Sequence, residues 1–223
     1  SIMGKLDYRT LRENVADEIR MKILNGDMKP GDKIIEQELA SEFGISRGPV
    51  REALRQLEQE GMVEYSRNVG CSVKHIGMDD VYEIYYMRAN YEMMAVRLYN
   101  APFPQETIEK MEQVLEQMKQ LHKEEYRKVF ELDNEFHKLL FHSVDKARTY
   151  EIIHSQMVHF DRLRTLSLKT VKPDKTVEDH ENILYAIERR DAELAEMLMT
   201  RHLTRHRVEK SELVKVYPEY FVQ

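Results

Sequence analysis

Cysteine occurs once in this sequence, at Cys71, so no disulfide can form within the chain, and that count fits a reducing cytosol. No run of 18 apolar residues is present to cross a bilayer, and no positively charged, then apolar leader opens the chain. A soluble, cytoplasmic protein with no membrane partner is the expectation. Positive charge is not in excess either. The 34 Lys and Arg stand against 40 Asp and Glu, a net charge of −6, which argues against a generic nucleic-acid coat protein but not against local reading of DNA. A glycine-rich phosphate loop, an H-E-x-x-H zinc motif, a nucleophile elbow, a solenoid repeat and a low-complexity tract are all missing. What the 223 residues do contain is 42% hydrophobic side chains, enough for two domains or one large one despite 33% charged residues.

The most informative stretch runs from Glu36 to Gly61 and reads as two short helices joined by a tight turn. Leu39, Ala40 and Phe43 mark the inner side of the first. Gly44 suits the left-handed residue that ends a helix, Ile45 can fold back to the core, and Ser46 is placed to cap the next helix. Pro49 is tolerated in that helix's first turn, where amides lack intrahelical acceptors. Val50, Ala53, Leu54 and Leu57 recur at i, i+3, i+4 and i+7 and point inward together. Arg47, Arg51 and Arg55 follow a separate i, i+4, i+8 line on the polar face. A solvated helix face can look like this, but a helix seated in the major groove needs the same division.

The flanks favour the second reading. A helix over 9–25 carries Leu11, Val15, Ile19 and Ile23 on one stripe, and Pro30-Gly31 turns the chain into a short strand at 32–35. Met62 to Tyr65 alternates like a strand, Ser66 to Gly70 supplies turn residues, and Cys71 to Ile76 reads as the returning strand, a place where the thiol is structural. Helix, turn, helix and hairpin make a winged helix-turn-helix with Arg67 at the wing tip. Residues 1–77 hold 12 Lys and Arg and 13 Asp and Glu, so specific groove contacts must matter more than a broad field. Residues 9–76 resemble the DNA-binding domain of the GntR family of bacterial transcription regulators. The likeness lies in the runs from Ile23 to Gly31, Leu39 to Arg47 and Pro49 to Leu54, and in Gly61. It implies operator contacts from Arg47, Arg51 and Arg55, and entry of the wing at Gly70 into the minor groove. Gly48 stands where the family commonly has threonine, which leaves at most a backbone amide for that phosphate contact.

After a linker at 77–80, whose Asp79 can cap the next helix, the pattern turns helical. The fold class is mainly α: a winged helix-turn-helix domain over 1–77, then an all-helical antiparallel bundle of about six helices over 78–223. Periodicity places the helices near 80–100, 104–123, 125–143, 148–169, 176–190 and 191–213, the last capped by Asp191. Asp133 and His137 share a face with Phe136 and Leu140, His180 one with Ile183, Leu184 and Ile187, and His202 one with Ala195, Leu198 and Met199. Buried imidazoles and carboxylates need partners, and this set suits zinc, nickel, cobalt or manganese. Spacing alone is weak support, since inward histidines are commonly satisfied core residues. Asp133 to His137, Asp179-His180 and Arg201-His202-Leu203 are, however, similar to the ligand domain of the FadR subfamily of GntR regulators. That resemblance implies a divalent metal held by Asp133, His137, His180 and His202, with a small carboxylate effector completing the coordination.

Arg88 belongs to an Arg-x-x-x-Glu stretch resembling the same subfamily. It is either an effector-binding guanidinium or an i, i+4 ion pair with Glu92. Arg162 and Arg164 are weaker effector candidates that a solvated helix face explains equally well, and His142, His154, His159 and His206 fall outside any pattern. The 13 methionines read as adaptable core filling. The leading expectation is a ligand-responsive repressor, not an enzyme, working as a homodimer on a double-stranded operator with an inverted repeat. The alternatives are a metal-dependent enzyme of the helical half and a sensor of the metal itself.

Overall fold

The structure, a computed structural model, describes residues 8–97, 104–157, 161–166 and 174–222. Its chain divides into two compact units, one running to Met78 and joined by the tail from Glu219, the other running from Asp79 to Pro218.

The first unit contains α1 (Tyr8–Asn25), β1 (Lys33–Ile34), α2 (Glu36–Phe43), α3 (Arg47–Gln59), β2 (Val63–Ser66) and β3 (Gly70–Val73). Val15, Ile19, Val50, Ala53, Leu54 and Leu57 are all fully buried, as the two stripes require. Each large side chain among them contributes roughly 1.5–3 kcal/mol by leaving water. Gly44 is left-handed (φ 66°), and Ile45 N–H donates to Ala40 O at 3.0 Å, closing the helix end. Ser46 holds the cap position of α3, but its side chain makes no capping hydrogen bond. The strand at 32–35 does pair with the wing: the sheet order is β1-β3-β2, antiparallel throughout, with Ile34 opposite Cys71 and Tyr65 opposite Cys71 on its other side. Cys71 is buried, and desolvation pushes its thiol up to about 11, which makes it the inert residue expected.

A further piece comes from the far end of the chain. Phe221 forms a parallel bridge with Ile76; Ile76 N–H donates to Tyr220 O at 2.8 Å and Val222 N–H to Ile76 O at 3.1 Å. Phe221 and Ile76 are both buried. The sequence division had assigned everything beyond residue 77 to the helical half, but this tail packs with the first unit, because a buried aromatic and two main-chain bonds hold it there.

The second unit is helical: α4 (Met78–Arg97), α5 (Gln105–Lys119), α6 (Tyr126–Ser143), α7 (Ala147–Ser155), α8 (161–166), α9 (Asp174–Glu188) and α10 (Ala192–Val216). Helix α5 packs on α6 and α9, α6 on α7, and α9 on α10. Their inner stripes, including Met111 and Met118, Phe136 and Leu140, Ile183 and Ile187, and Ala195 and Met199, form the core. Asp191 caps α10, accepting from Leu194 N–H at 3.0 Å. Asp79 lies inside the first turn of α4 rather than at its cap. The single helix expected over 148–169 is broken after Ser155. No proline or glycine marks that break; Met157 and all six residues of α8 are buried, so packing overrides the local period. Among the described residues, no helix is long and apolar enough to cross a membrane.

Candidate functional site

Two places carry the sequence-expected residues, one in each unit. In the first, Arg47, Arg51 and Arg55 stand exposed along α3, opposite its fully buried stripe. Arg67 is exposed at the wing tip, and Gly70 takes φ 80° with open space around a notional Cβ, so glycine is required there by its backbone angle rather than by crowding. Arg47 and Arg51 both reach Glu36, the first residue of α2, at 3.4 and 3.2 Å.

In the second unit, α6, α9 and α10 bring Asp133, His137, His180 and His202 together in the core, at most 3% exposed. One donor atom from each lies within 4.8 Å of the others. His180 Nε2 is 3.0 Å from Asp133 Oδ1 and 3.2 Å from His137 Nε2, while His137 Nε2 is 3.3 Å from Asp133 Oδ1. Donors that share one divalent ion at roughly 2.0–2.2 Å each lie about 3.0–3.5 Å apart. Asp133 Oδ1, His137 Nε2 and His180 Nε2 thus meet in the buried core, where polar atoms need a partner. The residues present therefore fit a cation.

Surrounding groups fix the rings. His137 Nδ1 contacts Glu92, and His202 Nδ1 lies 3.0 Å from Asp179 Oδ2, so each of these imidazoles directs Nε2 inward. Burial first, and neighbouring imidazoles for His180, hold all three histidines below the ordinary value, in the neutral form that ligates metals. Burial opposes ionisation of Glu92, but the charge of Arg88 and the imidazole of His137 outweigh it and hold the carboxyl well below the usual range.

Arg88 makes the ion pair with Glu92, Nε to Oε2 at 3.0 Å, with both side chains buried. It also lines a small cavity beside His137, walled by Asn134, Phe141, Tyr150, Ile153, His154 and Met157. The two readings of Arg88 are thus compatible. Arg162 and Arg164, which the sequence leaves between an effector role and a solvated face, are buried on α8, which excludes the solvated face. Arg164 meets the carboxylate of Asp133, donates from Nη1 to Asn134 Oδ1 at 2.9 Å and stacks over Phe130. Beside it Asp161 is buried, and desolvation pushes its carboxyl up to about 7. His142 is exposed and His154 stacks on Tyr150; His159 and the side chain of His206 lie outside the described residues.

Sequence reasoning missed the partners of Asp179 and Arg164, His202 and Asp133, and the role of Glu92 toward His137. Asp179 directly precedes a ligand candidate, but its partner sits on another helix, so no local spacing reveals the pair. Arg164 stood only as a weak effector candidate, and no local spacing joined it to Asp133.

Comparison with known proteins agrees with both halves. The model of the bacterial regulatory proteins of the gntR family matches residues 11–73, and that of the FCD domain matches residues 83–205. The HTH-type transcriptional repressor RspR of Escherichia coli K12 is 29% identical over 187 residues, 83% of this chain and 82% of its own. A probable D-xylose utilization operon transcriptional repressor of Paenarthrobacter nicotinovorans is 28% identical over 200 residues, 89% and 88% of the two chains. Among solved structures, McbR/YncC of E. coli superposes with a TM-score of 0.74 at 20% identity, covering 93% of this chain and 98% of its own.

Proposed function

This chain belongs to the GntR family of bacterial regulatory proteins, with the FCD domain that marks the FadR-type architecture, and on that premise we propose a repressor controlled through a buried metal centre. The protein is a DNA-binding transcription regulator, and repressors are among its relatives. The finer reading has Asp133, His137, His180 and His202 holding a zinc, nickel, cobalt or manganese ion. The observation that carries it is the convergence of three imidazole nitrogens and one carboxylate oxygen in a buried core. When bound, such an ion supplies open coordination positions that favour an anionic oxygen ligand. The cavity beside His137 has room for about one water molecule, so a small carboxylate would have to push its walls, Phe141, Ile153 and Met157, apart to meet the guanidinium of Arg88. An effector acts only through different affinities for the DNA-competent and incompetent states, so that difference is what the site must read.

On the DNA side, Arg47, Arg51 and Arg55 would read one half-site from the major groove, with Arg67 and Gly70 placing the wing. Two protomers would then match an inverted repeat in the cytoplasm. Support for a homodimer comes from α4, which exposes Tyr82, Tyr86 and Met87 on the side away from its buried Arg88 and Ala95. The reading is tested by measuring operator affinity with and without metal, each in the absence and in the presence of a small carboxylate. An effect of carboxylate only when metal is present supports it, and an effect of metal alone favours a metal sensor. Arg51→Ala should separately lower operator affinity roughly five- to a hundredfold while the fold stays intact.

A further inference from the structure

Glu36 is a carboxylate placed in the middle of the surface that has to meet a polyanion. It opens α2, where a negative charge favours the helix N-terminus, but Glu38 already stands in that turn. Its side chain is 18% exposed and engages two arginines of α3. Arg51 donates from Nε to Oε1 and Oε2, both at 3.3 Å, and from Nη2 to Oε2 at 3.2 Å. Arg47 donates from Nη2 to Oε2 at 3.4 Å. The carboxyl is held below the ordinary glutamate value, chiefly by the hydrogen bond from Arg51, so it carries its charge at neutral pH.

A lone acid here would only repel phosphates. Gripped by Arg51, it does something else. A guanidinium has five N–H donors in a rigid fork, and bidentate reading of guanine O6 and N7 depends on the plane of that fork. An exposed arginine samples many rotamers, and ordering one on binding lowers affinity. A carboxylate holding the Nε–Nη2 edge sets the plane before DNA arrives. We propose that Glu36 is a positioning and specificity-determining residue of the DNA-reading face, pre-ordering Arg51, with Arg47 as its second partner. This rests on the assignment of Arg51 to the groove made above.

The electrostatic and positioning roles predict opposite signs, which makes the proposal testable. Two probes are used: a duplex enriched from a random pool by the wild-type protein, and a scrambled duplex of equal length and composition. With Glu36→Ala, positioning predicts roughly two- to tenfold weaker binding to the enriched duplex, with binding to the scrambled one unchanged or tighter. Glu36→Gln, which keeps an acceptor oxygen, should fall between wild type and Glu36→Ala; it also carries the test if the alanine variant folds poorly. In an Arg51→Ala background, Glu36→Ala should cause no further loss of specific binding. Equal tightening on both duplexes, no change on the enriched one, or a loss that persists undiminished without Arg51 would each overturn the proposal. If the wild-type protein enriches no sequence, the DNA-reading assignment itself fails. If it enriches one and Arg51→Ala weakens it while Glu36 variants do not, only the role of Glu36 fails.

Discussion

Asp179 and Glu92 act on the buried cluster without being among its four converging donors. Each takes the outward nitrogen of one imidazole, His202 and His137 respectively, which fixes the tautomer and aims Nε2 inward. Asp179→Asn should therefore weaken cation affinity roughly 10- to 100-fold, measured by competition with a chromophoric chelator. Its side chain is partly solvated, so thermal stability should change little. Glu92→Gln differs, because it leaves Arg88 buried without its charge partner, and loss of roughly 3–5 kcal/mol is expected by denaturant unfolding. At this scale the sequence was legible where chemistry followed a helical period. Asp133 and His137 share one turn, and Arg88 and Glu92 another. His180 and His202 sit singly on their helices, and only likeness to a known ligand domain joined them to the set. The burial of Arg164 against Asp133 was illegible, because it depends on how α8 packs and not on its neighbours in sequence.

Among the elements, α3 was the most readable, since its buried and basic lines both obey one period. The break between α7 and α8 was the least, having neither proline nor glycine at Gln156 or Met157. The tail also escaped notice: a five-residue segment after a 25-residue helix offers no period, and its partner Ile76 lies far away in sequence. Its burial still gives it a measurable role. Phe221→Ala should destabilise the first unit by roughly 2–4 kcal/mol, less than or near the usual cost of emptying a core aromatic site. Hydrogen exchange at the amides of Ile76 and Val222 checks this, since those two bonds should lose protection first.

At the scale of the whole molecule, the account is a reader and a sensor on one chain. Light scattering should give a homodimer at micromolar concentration, and Tyr86→Glu, which charges a side chain 71% exposed on α4, should shift it toward monomer without loss of metal. A monomeric wild type would contradict the assembly. Net charge was no guide at this scale; the proposed function rests on the placement of eight groups, Glu36, Arg47, Arg51, Arg55, Asp133, His137, His180 and His202. The buried centre is the claim on which the regulatory reading depends, and calorimetric titration of chelator-treated protein with zinc tests it most directly. The account predicts one ion bound per chain in the wild type and none in His137→Ala, whose apolar stripes keep it folded. No heat of binding in the wild type, or an undiminished site in that variant, would contradict it.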